Sequence, residues 1–221
     1  MIPLAKTAAF FDVDRTLLPR RSMESIFLPY LIKNGYLKGV DLVRFLAGLA
    51  KTLDEAGEEG WLRNNKYHLK DKDPASLRRL AAECFQAKIR PRISPAGRKM
   101  VGRHLRQGHL VVLLTGTLDP LAQELREDLG VHLALAARLG TEGGAYSGRL
   151  EGIRPYGAEK ARLVKELAGE AGIDLANSFA YGDHHTDEKV LSQVGNPVAV
   201  NPDAKLAATA RQRGWPIIEF L

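Results

Sequence analysis

The feature that most constrains the fold of this chain is a series of short apolar runs, each ending in a polar or glycine-containing turn. The clearest are TAAFFDVD (7–14), HLVVLLTG (109–116), SFAYGD (178–183) and NPVAVN (196–201). Between them lie helical patterns such as PAGRKMVGRHLRQG, DPLAQELREDLG and AEKARLVKELAGEAG. Apolar strands that alternate with amphipathic helices are typical of a parallel sheet covered on both faces. The pattern predicts an α/β fold: a three-layer α/β/α, Rossmann-like core with a mostly parallel sheet.

Two further segments extend this prediction. WPIIEF, near the C-terminus, is apolar and short, and it predicts another strand. The glycine-rich stretch LGTEGGAYSGRLEG (139–152) is best interpreted as a hairpin or flap.

The interval from about Ser22 to Arg90 has a different character, because it contains no convincing strand. Its patterns are helical: LPYLIKNG, GVDLVRFLAGLAKTL, EEGWLRNNKYHL and PASLRRLAAECFQAKI. A helical block inserted after the first strand of an α/β sheet indicates a lid. We therefore predict a small all-helical cap domain over residues 19–90, with a catalytic core formed by residues 1–18 and 91–221.

The same interval carries the charge imbalance of the chain. Residues 17–92 contain 15 Lys and Arg against nine Asp and Glu, whereas the remaining residues balance, so that the whole chain has a net charge of +6. A basic face can attract phosphorylated ligands, nucleic acid or anionic lipid, or it can be a solvated surface without a partner.

Several classes of protein are disfavoured by composition. Cys84 is the one cysteine, which excludes an internal disulfide and a multi-cysteine metal site. The N-terminal apolar stretch is broken by Asp12, Asp14 and Arg15, unlike a signal peptide, and no run approaches the roughly 18 apolar residues of a spanning helix. We expect a cytoplasmic enzyme without stable membrane insertion.

Carboxylate and hydroxyl side chains follow the predicted strands. Asp12 and Asp14 come after the first strand and project to one side, since side chains on a strand alternate with a period of two. Two carboxylates beside an apolar run are costly unless a cation or a proton lies between them. Thr115 follows the second strand and Asp183 the third. Each of these residues alone is more typical of a helix cap or a turn. Only their combination indicates a functional site.

The segment YGDHHTDE (181–188) allows two interpretations. His184 and His185, framed by Asp183 and Asp187, suggest either a histidine-ligated transition-metal site or a carboxylate site that happens to contain two histidines. Adjacent loop residues rarely aim at one ion, and zinc prefers more histidine or thiolate ligands than the strand ends offer. We therefore expect the histidines to face solvent or pack locally; the alternative is that His184 or His185 contacts substrate or adds a metal ligand.

Four ordered motifs resemble the haloacid dehalogenase superfamily of phosphohydrolases. DVDRT is similar to its first motif, DxDx[TV], and LLTG to its second. Lys160 in GAEKARLV matches the third motif, and GDHHTD the fourth. The helical insertion between the first two motifs resembles the cap of the phosphoserine-phosphatase-like branch, and the resemblance spans nearly the whole chain.

The resemblance implies roles for individual residues. Asp12 would be the nucleophile that forms an aspartyl-phosphate, and Asp14 the general acid and base. Lys160 would stabilise the charge of the nucleophile and of the transferring group. The phosphoryl oxygens would be bound by Thr115, Gly116, Lys160 and Thr186.

The resemblance also implies a Mg²⁺ cofactor, which prefers hard oxygen ligands. Its ligands would be Asp12, Asp14 through the backbone carbonyl, and Asp183, with Asp187 in support or acting through water.

The function implied is a magnesium-dependent phosphomonoester hydrolase acting on a small phosphorylated metabolite. Phosphoserine phosphatases carry a Glu shortly after the first motif, and this Glu helps to recognise the amino acid. When the same number of residues is counted from Asp12 in this chain, the position is occupied by Arg21, and the nearest Glu is Glu24. Arg21 argues against phosphoserine as the substrate, although a shifted loop would bring Glu24 in.

Two alternatives stay open within the enzyme class, namely a phosphatase of lipid-type phosphates and a phosphotransferase. A non-enzymatic basic binding module is a third, from another class, although we expect no nucleic-acid partner. The sequence predicts no oligomeric state.

Overall fold

The predicted apolar runs form the parallel part of a sheet in the computed structural model, which describes residues 6–52, 65–152 and 154–220, without the side chains of 48–52. Seven strands lie within these ranges: β1 (Ala8–Phe11), β2 (Leu110–Leu118), β3 (Leu133–Glu142), β4 (Ala145–Glu151), β5 (Phe179–Gly182), β6 (Asn196–Val200) and β7 (Ile217–Ile218). Their order is β4-β3-β2-β1-β5-β6-β7. Only the pair β3–β4 is antiparallel among them.

The central strands are apolar throughout because both of their faces are buried. On β1, Ala9 and Phe11 pack into one apolar cluster, while Ala8 and Phe10 pack into a second. On β2 the same alternation sends Val111 and Leu113 to the first cluster, and Leu110, Val112 and Leu114 to the second. One cluster therefore lies on each face of the sheet.

Helices cover both faces. In chain order they are α1 (Met23–Lys33), α2 (Gly39–Thr52), α3 (Pro74–Cys84), α4 (Pro95–Arg106), α5 (Asp119–Leu129), α6 (Ala158–Ala171), α7 (Glu188–Leu191) and α8 (Ala204–Arg213). Apolar residues of α1, α3, α4 and α5 belong to the first cluster, and those of α6, α7 and α8 to the second. The predicted three-layer α/β/α core is confirmed.

The helix ends follow the expected chemistry. Ser94 begins α4 by accepting a hydrogen bond from the Gly97 amide at 3.1 Å. The helices α5 and α6 end at Gly130 and Gly172, whose φ angles of 66° and 65° are left-handed and suit glycine.

Between residues 23 and 92, the described part of the chain is helical and contains no strand, as predicted. It comprises α1, α2, a short 3₁₀ turn at Tyr67–Leu69, α3, a π-helical turn at Phe85–Ile89 and a 3₁₀ turn at Arg90–Arg92. Most of the predicted helix EEGWLRNNKYHL lies outside the described residues. Phe27, Leu31 and Leu69 share the first cluster with Phe11 of the sheet, so that apolar packing runs continuously from the helical block to the core. The boundary of the cap at residues 19–90 stays a prediction.

The structure extends the predicted strands at one edge. The glycine-rich stretch 139–152 forms the predicted hairpin of β3 and β4, but β3 begins earlier, at Leu133, and its first half pairs in parallel with β2. β2 itself continues to Leu118, and its pairing with β3 is irregular between Leu114 and Leu118. Thr115 thus lies within a strand whose ladder is interrupted.

The strand order locates the ligand crevice. The chain adds β2, β3 and β4 on one side of β1, and β5, β6 and β7 on the other. Open parallel sheets bind ligands at the carboxyl ends of the strands where this reversal occurs. The crevice is therefore expected beyond Phe11, and it is bordered by the ends of β2 and β5. Across the described ranges, no helix is both long and apolar enough to cross a membrane.

Candidate active site

A pocket of about 270 Å³ opens at this reversal point. Seven of the residues that the sequence predicts for the site line it: Asp12, Asp14, Gly116, Lys160, Asp183, Thr186 and Asp187. Thr115 is only 1% exposed and is not among the residues that line the pocket; its hydroxyl accepts a hydrogen bond from the Thr117 amide at 3.1 Å. The four motifs, far apart in sequence, thus converge on one pocket.

Asp12 follows β1 directly, and both of its oxygens are held. Its amide donates to the Tyr181 carbonyl of β5 at 2.9 Å. Oδ1 accepts from Lys160 Nζ at 2.6 Å, and Oδ2 accepts from the Thr16 hydroxyl at 2.9 Å. Burial raises the pKa of Asp12, and the adjacent Lys160 ammonium opposes that rise. The carboxylate is therefore fixed in orientation at the wall of the pocket.

Asp14 lines the pocket two residues later and is also held at both oxygens. Oδ1 accepts from the Met23 amide, in the first turn of α1, and Oδ2 accepts from the Thr117 hydroxyl, both at 2.8 Å. Burial, and then the nearby charge of Asp12, raises the pKa of Asp14 to about 6. This carboxyl can therefore hold or release a proton close to neutral pH.

Three carboxylates meet around one lysine. Oxygen atoms of Asp12, Asp183 and Asp187 lie within 4.8 Å of one another. Burial, followed by the charges of Asp12 and Asp187, raises the pKa of Asp183 to about 8. Lys160 donates to Asp187 at 2.7 Å as well as to Asp12, and its pKa is raised by these two carboxylates despite its burial. One ammonium cannot neutralise three buried carboxylates, so that the cluster fits a divalent cation with oxygen ligands, such as Mg²⁺.

Two threonines that the sequence analysis did not include support these carboxylates. Thr16 lies 2.9 Å from Asp12 Oδ2 and 3.3 Å from Asp183 Oδ1, so that its hydroxyl bridges the two acids. Thr16 is the last residue of DVDRT, so the first motif could have identified it as a site residue. Thr117 holds Asp14, and nothing in the sequence marks it except its place two residues after Thr115.

Arg154 was likewise not predicted. Its Nε donates to the Gly116 carbonyl at 3.1 Å, and it lines the pocket together with Arg15. A Cβ atom at Gly116 would lie 3.1 Å from the Arg154 guanidinium. Glycine at this position lets the arginine pack closely against the backbone.

Glu24, rather than Arg21, is the residue of the segment after the first motif that reaches the pocket. Arg21 is exposed and outside the pocket lining, whereas Glu24 lines it and forms an ion pair of 2.8 Å with Lys66 through Oε2. Glu24 Oε1 is buried, and no group in the described ranges forms a hydrogen bond with it.

The two histidines of the fourth motif both approach Asp203. His185 Nδ1 lies 2.9 Å and His184 Nε2 lies 3.5 Å from Asp203 Oδ2. Their rings are 4.1 Å apart, which agrees with the expected local packing, and His184 also lines the pocket. The sequence did not single out Asp203, the carboxylate that both histidines approach.

Comparisons with known proteins agree with this architecture. The family model described as haloacid dehalogenase-like hydrolase matches residues 9–192. The chain is 35% identical to a Mycobacterium tuberculosis protein named phosphoserine phosphatase SerB1, over 96% of this chain and 70% of that protein. It is 29% identical to a histidinol-phosphatase of Neisseria meningitidis, over 97% of this chain and 99% of the other.

Solved structures share the fold. A Bordetella pertussis protein of unknown function superposes with a TM-score of 0.81 at 25% identity, covering 98% of this chain and all of that one. An apo phosphoserine phosphatase superposes with a TM-score of 0.65 at 19% identity, covering 98% and 94%, which supports the fold alone. The family match covers most of the chain and includes the residues that converge on the pocket. The chain therefore belongs to the haloacid dehalogenase-like hydrolases, and it is an enzyme of the phosphoserine-phosphatase-like kind within them.

Proposed function

We propose that this protein is a magnesium-dependent phosphomonoester hydrolase that acts through an aspartyl-phosphate at Asp12. One observation carries the proposal. The Asp12 carboxylate is fixed by Lys160 and Thr16 beside two further carboxylates, in the pocket that also holds Asp14 with its raised pKa. A fixed nucleophile, a proton donor and a cation site in one pocket are the parts that phosphoryl transfer requires.

The carboxylates of Asp12, Asp183 and Asp187, with the backbone carbonyl of Asp14, would hold the cation. Bound Mg²⁺ neutralises negative charge on the phosphoryl group and so permits attack by an anion. Lys160 contributes a second, permanent positive charge from the protein itself.

The reaction divides into two displacements. In the first, an Asp12 oxygen forms a bond to phosphorus, and the bond from phosphorus to the leaving alcohol breaks while Asp14 donates its proton to that oxygen. In the second, Asp14 takes a proton from water, the water oxygen bonds to phosphorus, and the bond to Asp12 breaks to release phosphate. A pKa of about 6 suits Asp14 for both transfers near neutral pH.

Phosphoryl binding would involve groups around the same pocket. Gly116 and Thr186 line it, and we assign the Gly116 amide and the Thr186 hydroxyl to the phosphoryl oxygens. The Thr115 hydroxyl accepts a hydrogen bond from the Thr117 amide, which leaves its own proton to donate. We assign this proton to a phosphoryl oxygen bound beside Gly116.

The pocket favours a small substrate that carries a cationic group. Its volume of about 270 Å³ suits a metabolite rather than a polymer. Arg21, on which the expectation against phosphoserine depended, does not line the pocket, whereas Glu24 does. One Glu24 oxygen pairs with Lys66, and the other is buried without a hydrogen-bond donor in the described part of the chain. Phosphate esters of amino alcohols, the class to which phosphoserine and histidinol phosphate belong, therefore come first among the candidates.

A second candidate class is favoured by a neighbouring cavity. A space of about 240 Å³ between α1, α2 and the 3₁₀ turn shares Glu24 with the pocket. Its apolar lining consists of Phe27, Leu28, Leu31, Phe45, Leu69 and Leu118. A phosphate ester with an apolar leaving group, such as a lipid-type phosphate, would place that group here.

A phosphate-release screen tests the proposal. Purified protein with Mg²⁺ would be assayed on amino-alcohol, sugar and lipid-type phosphates, with Asp12→Asn as the inactive variant. Asp71→Asn, which alters a carboxylate that is 61% exposed, provides the matched control and should retain full activity. Activity that persists in Asp12→Asn would refute the nucleophile. Inactivity on every ester, together with salt-dependent binding to nucleic acid, would favour the basic binding module.

A further inference from the structure

We propose a second metal site, specific for a transition metal such as Zn²⁺, formed by His184, His185 and Asp203. It uses none of the carboxylates assigned to Mg²⁺. The three ligand atoms, His184 Nε2, His185 Nδ1 and Asp203 Oδ2, lie within 4.8 Å of one another. This gives the two histidines that follow Asp183 a role separate from the Mg²⁺ cluster.

The spacing of these atoms suits a tetrahedral ion. Zinc bonds to nitrogen and oxygen at about 2.0–2.2 Å, so that neighbouring ligand atoms in a tetrahedron lie about 3.3 Å apart. The two measured separations from Asp203 Oδ2, 2.9 Å to His185 and 3.5 Å to His184, bracket that value. Small side-chain rotations would bring all three atoms to coordination distance.

The groups behind the ligands already hold them in orientation. His184 Nδ1 accepts a hydrogen bond from the Thr186 amide at 3.4 Å and lies 3.0 Å from the Thr186 hydroxyl, and these contacts hold the ring with Nε2 directed to Asp203. Asp203 Oδ1 accepts from the Leu206 amide at 2.7 Å, because Asp203 caps α8, and this leaves Oδ2 directed to the histidines. Partners of this kind fix ligand geometry at metal sites in general.

Exposure and ligand chemistry select the class of ion. The side chains of His184, His185 and Asp203 are 29%, 41% and 29% exposed, so that an ion can enter from solvent and keep water as a further ligand. Imidazole nitrogen suits zinc, copper and nickel, whereas Mg²⁺ favours oxygen. The two sites should therefore bind different metals from the same solution.

The proposed site is coupled to the carboxylate cluster through the backbone. The Asp203 amide donates to the Asp183 carbonyl at 2.8 Å, and His184 to Thr186 form the chain between Asp183 and Asp187. A metal held by His184, His185 and Asp203 would therefore tie the loop that carries Asp183 and Asp187 to the N-terminus of α8.

Titration calorimetry with Zn²⁺ in saturating Mg²⁺ tests the site. The wild-type protein should bind one Zn²⁺ per chain, and His185→Gln and Asp203→Asn should each weaken binding by at least about tenfold. Asparagine can still cap α8, so that Asp203→Asn removes the ligand charge while it keeps the helix start. Thermal unfolding without Zn²⁺ would confirm that each variant folds, and His184→Gln supplies a further ligand variant.

Two controls locate the ion. His132→Gln removes a histidine that accepts from the Val111 amide, away from Asp203, and should leave Zn²⁺ binding unchanged. Asp12→Asn should also leave it unchanged, because Asp12 belongs to the other cluster. Loss of Zn²⁺ binding in Asp12→Asn with retention in His185→Gln would overturn the proposal, as would the absence of Zn²⁺ binding by the wild-type protein.

Discussion

Magnesium should stabilise this protein against heat, and the stabilisation should shrink as the pH falls. The cause is Asp183, whose pKa is raised from 3.8 to about 8, mainly by burial. The native carboxyl therefore holds its proton more tightly than the unfolded one. Stability of the metal-free protein consequently falls as the pH rises through this range, by at most about 1.4 kcal/mol per pH unit for this group. On the proposed function, Mg²⁺ would bind the deprotonated carboxylate and so oppose that loss.

The size of the effect follows from linkage. Below the pKa of Asp183, each pH unit should weaken apparent Mg²⁺ affinity about tenfold, because the proton must first leave. If Mg²⁺ at pH 7 is set to about 100 times its dissociation constant, the gain is about 2.7 kcal/mol, and at pH 6 the same concentration gives about 1.4 kcal/mol. For a chain of this length, these gains correspond to rises in Tm of about 5–11 °C and about 3–6 °C.

Differential scanning calorimetry with and without Mg²⁺ at the two pH values measures both shifts. Asp183→Asn should lose the Mg²⁺ response at either pH, and Asp71→Asn should keep it. Equal shifts at pH 6 and pH 7, or a full shift in Asp183→Asn, would refute the assignment of Asp183 to the cation site.

Two further predictions concern single residues. Asp14→Asn should lower kcat by about 10²–10⁴-fold, since it removes the proton donor, while the Mg²⁺-induced rise in Tm persists; unchanged kcat would exclude the acid–base role. Lys160→Met should destabilise the protein by about 3–5 kcal/mol at pH 8, because it leaves the buried Asp12 and Asp187 without their ammonium. The loss should be smaller at pH 5, because burial raises the pKa of Asp12 and a protonated Asp12 no longer requires the ammonium. Urea unfolding at both pH values measures this change, and an equal loss at pH 5 and pH 8 would contradict it.

Both the central strands and the site residues at their carboxyl ends could be predicted from the sequence. Strands buried on both faces are continuous apolar runs, and parallel strands bring their carboxyl ends to one edge. Asp12 and Asp183 could therefore be placed together before their distance was known. The parallel half of β3 was not predicted, because LALAAR contains alanines that mark neither a strand nor a helix clearly.

Residues that reach the site from loops and helices, rather than from the end of a core strand, could not be predicted in this way. Counting from Asp12 pointed to Arg21, but Arg15 and Arg20 adopt φ angles of 68°, so that the loop turns and Glu24 faces the pocket instead. Arg154 enters through a contact with the Gly116 carbonyl, which no local pattern encodes. The convergence of His184 and His185 depends likewise on Asp203, a residue from another strand end.

The central claim, that Asp12 is the nucleophile, is tested most directly by trapping the phosphorylated enzyme. Protein turning over an ester found by the screen in Mg²⁺ would be quenched in acid, digested and examined by mass spectrometry. We predict a phosphate on the peptide that contains Asp12, removed by hydroxylamine as an acyl phosphate should be, and absent from Asp12→Asn. Steady turnover with no phosphate on that peptide, or with phosphate on another residue, would contradict the account.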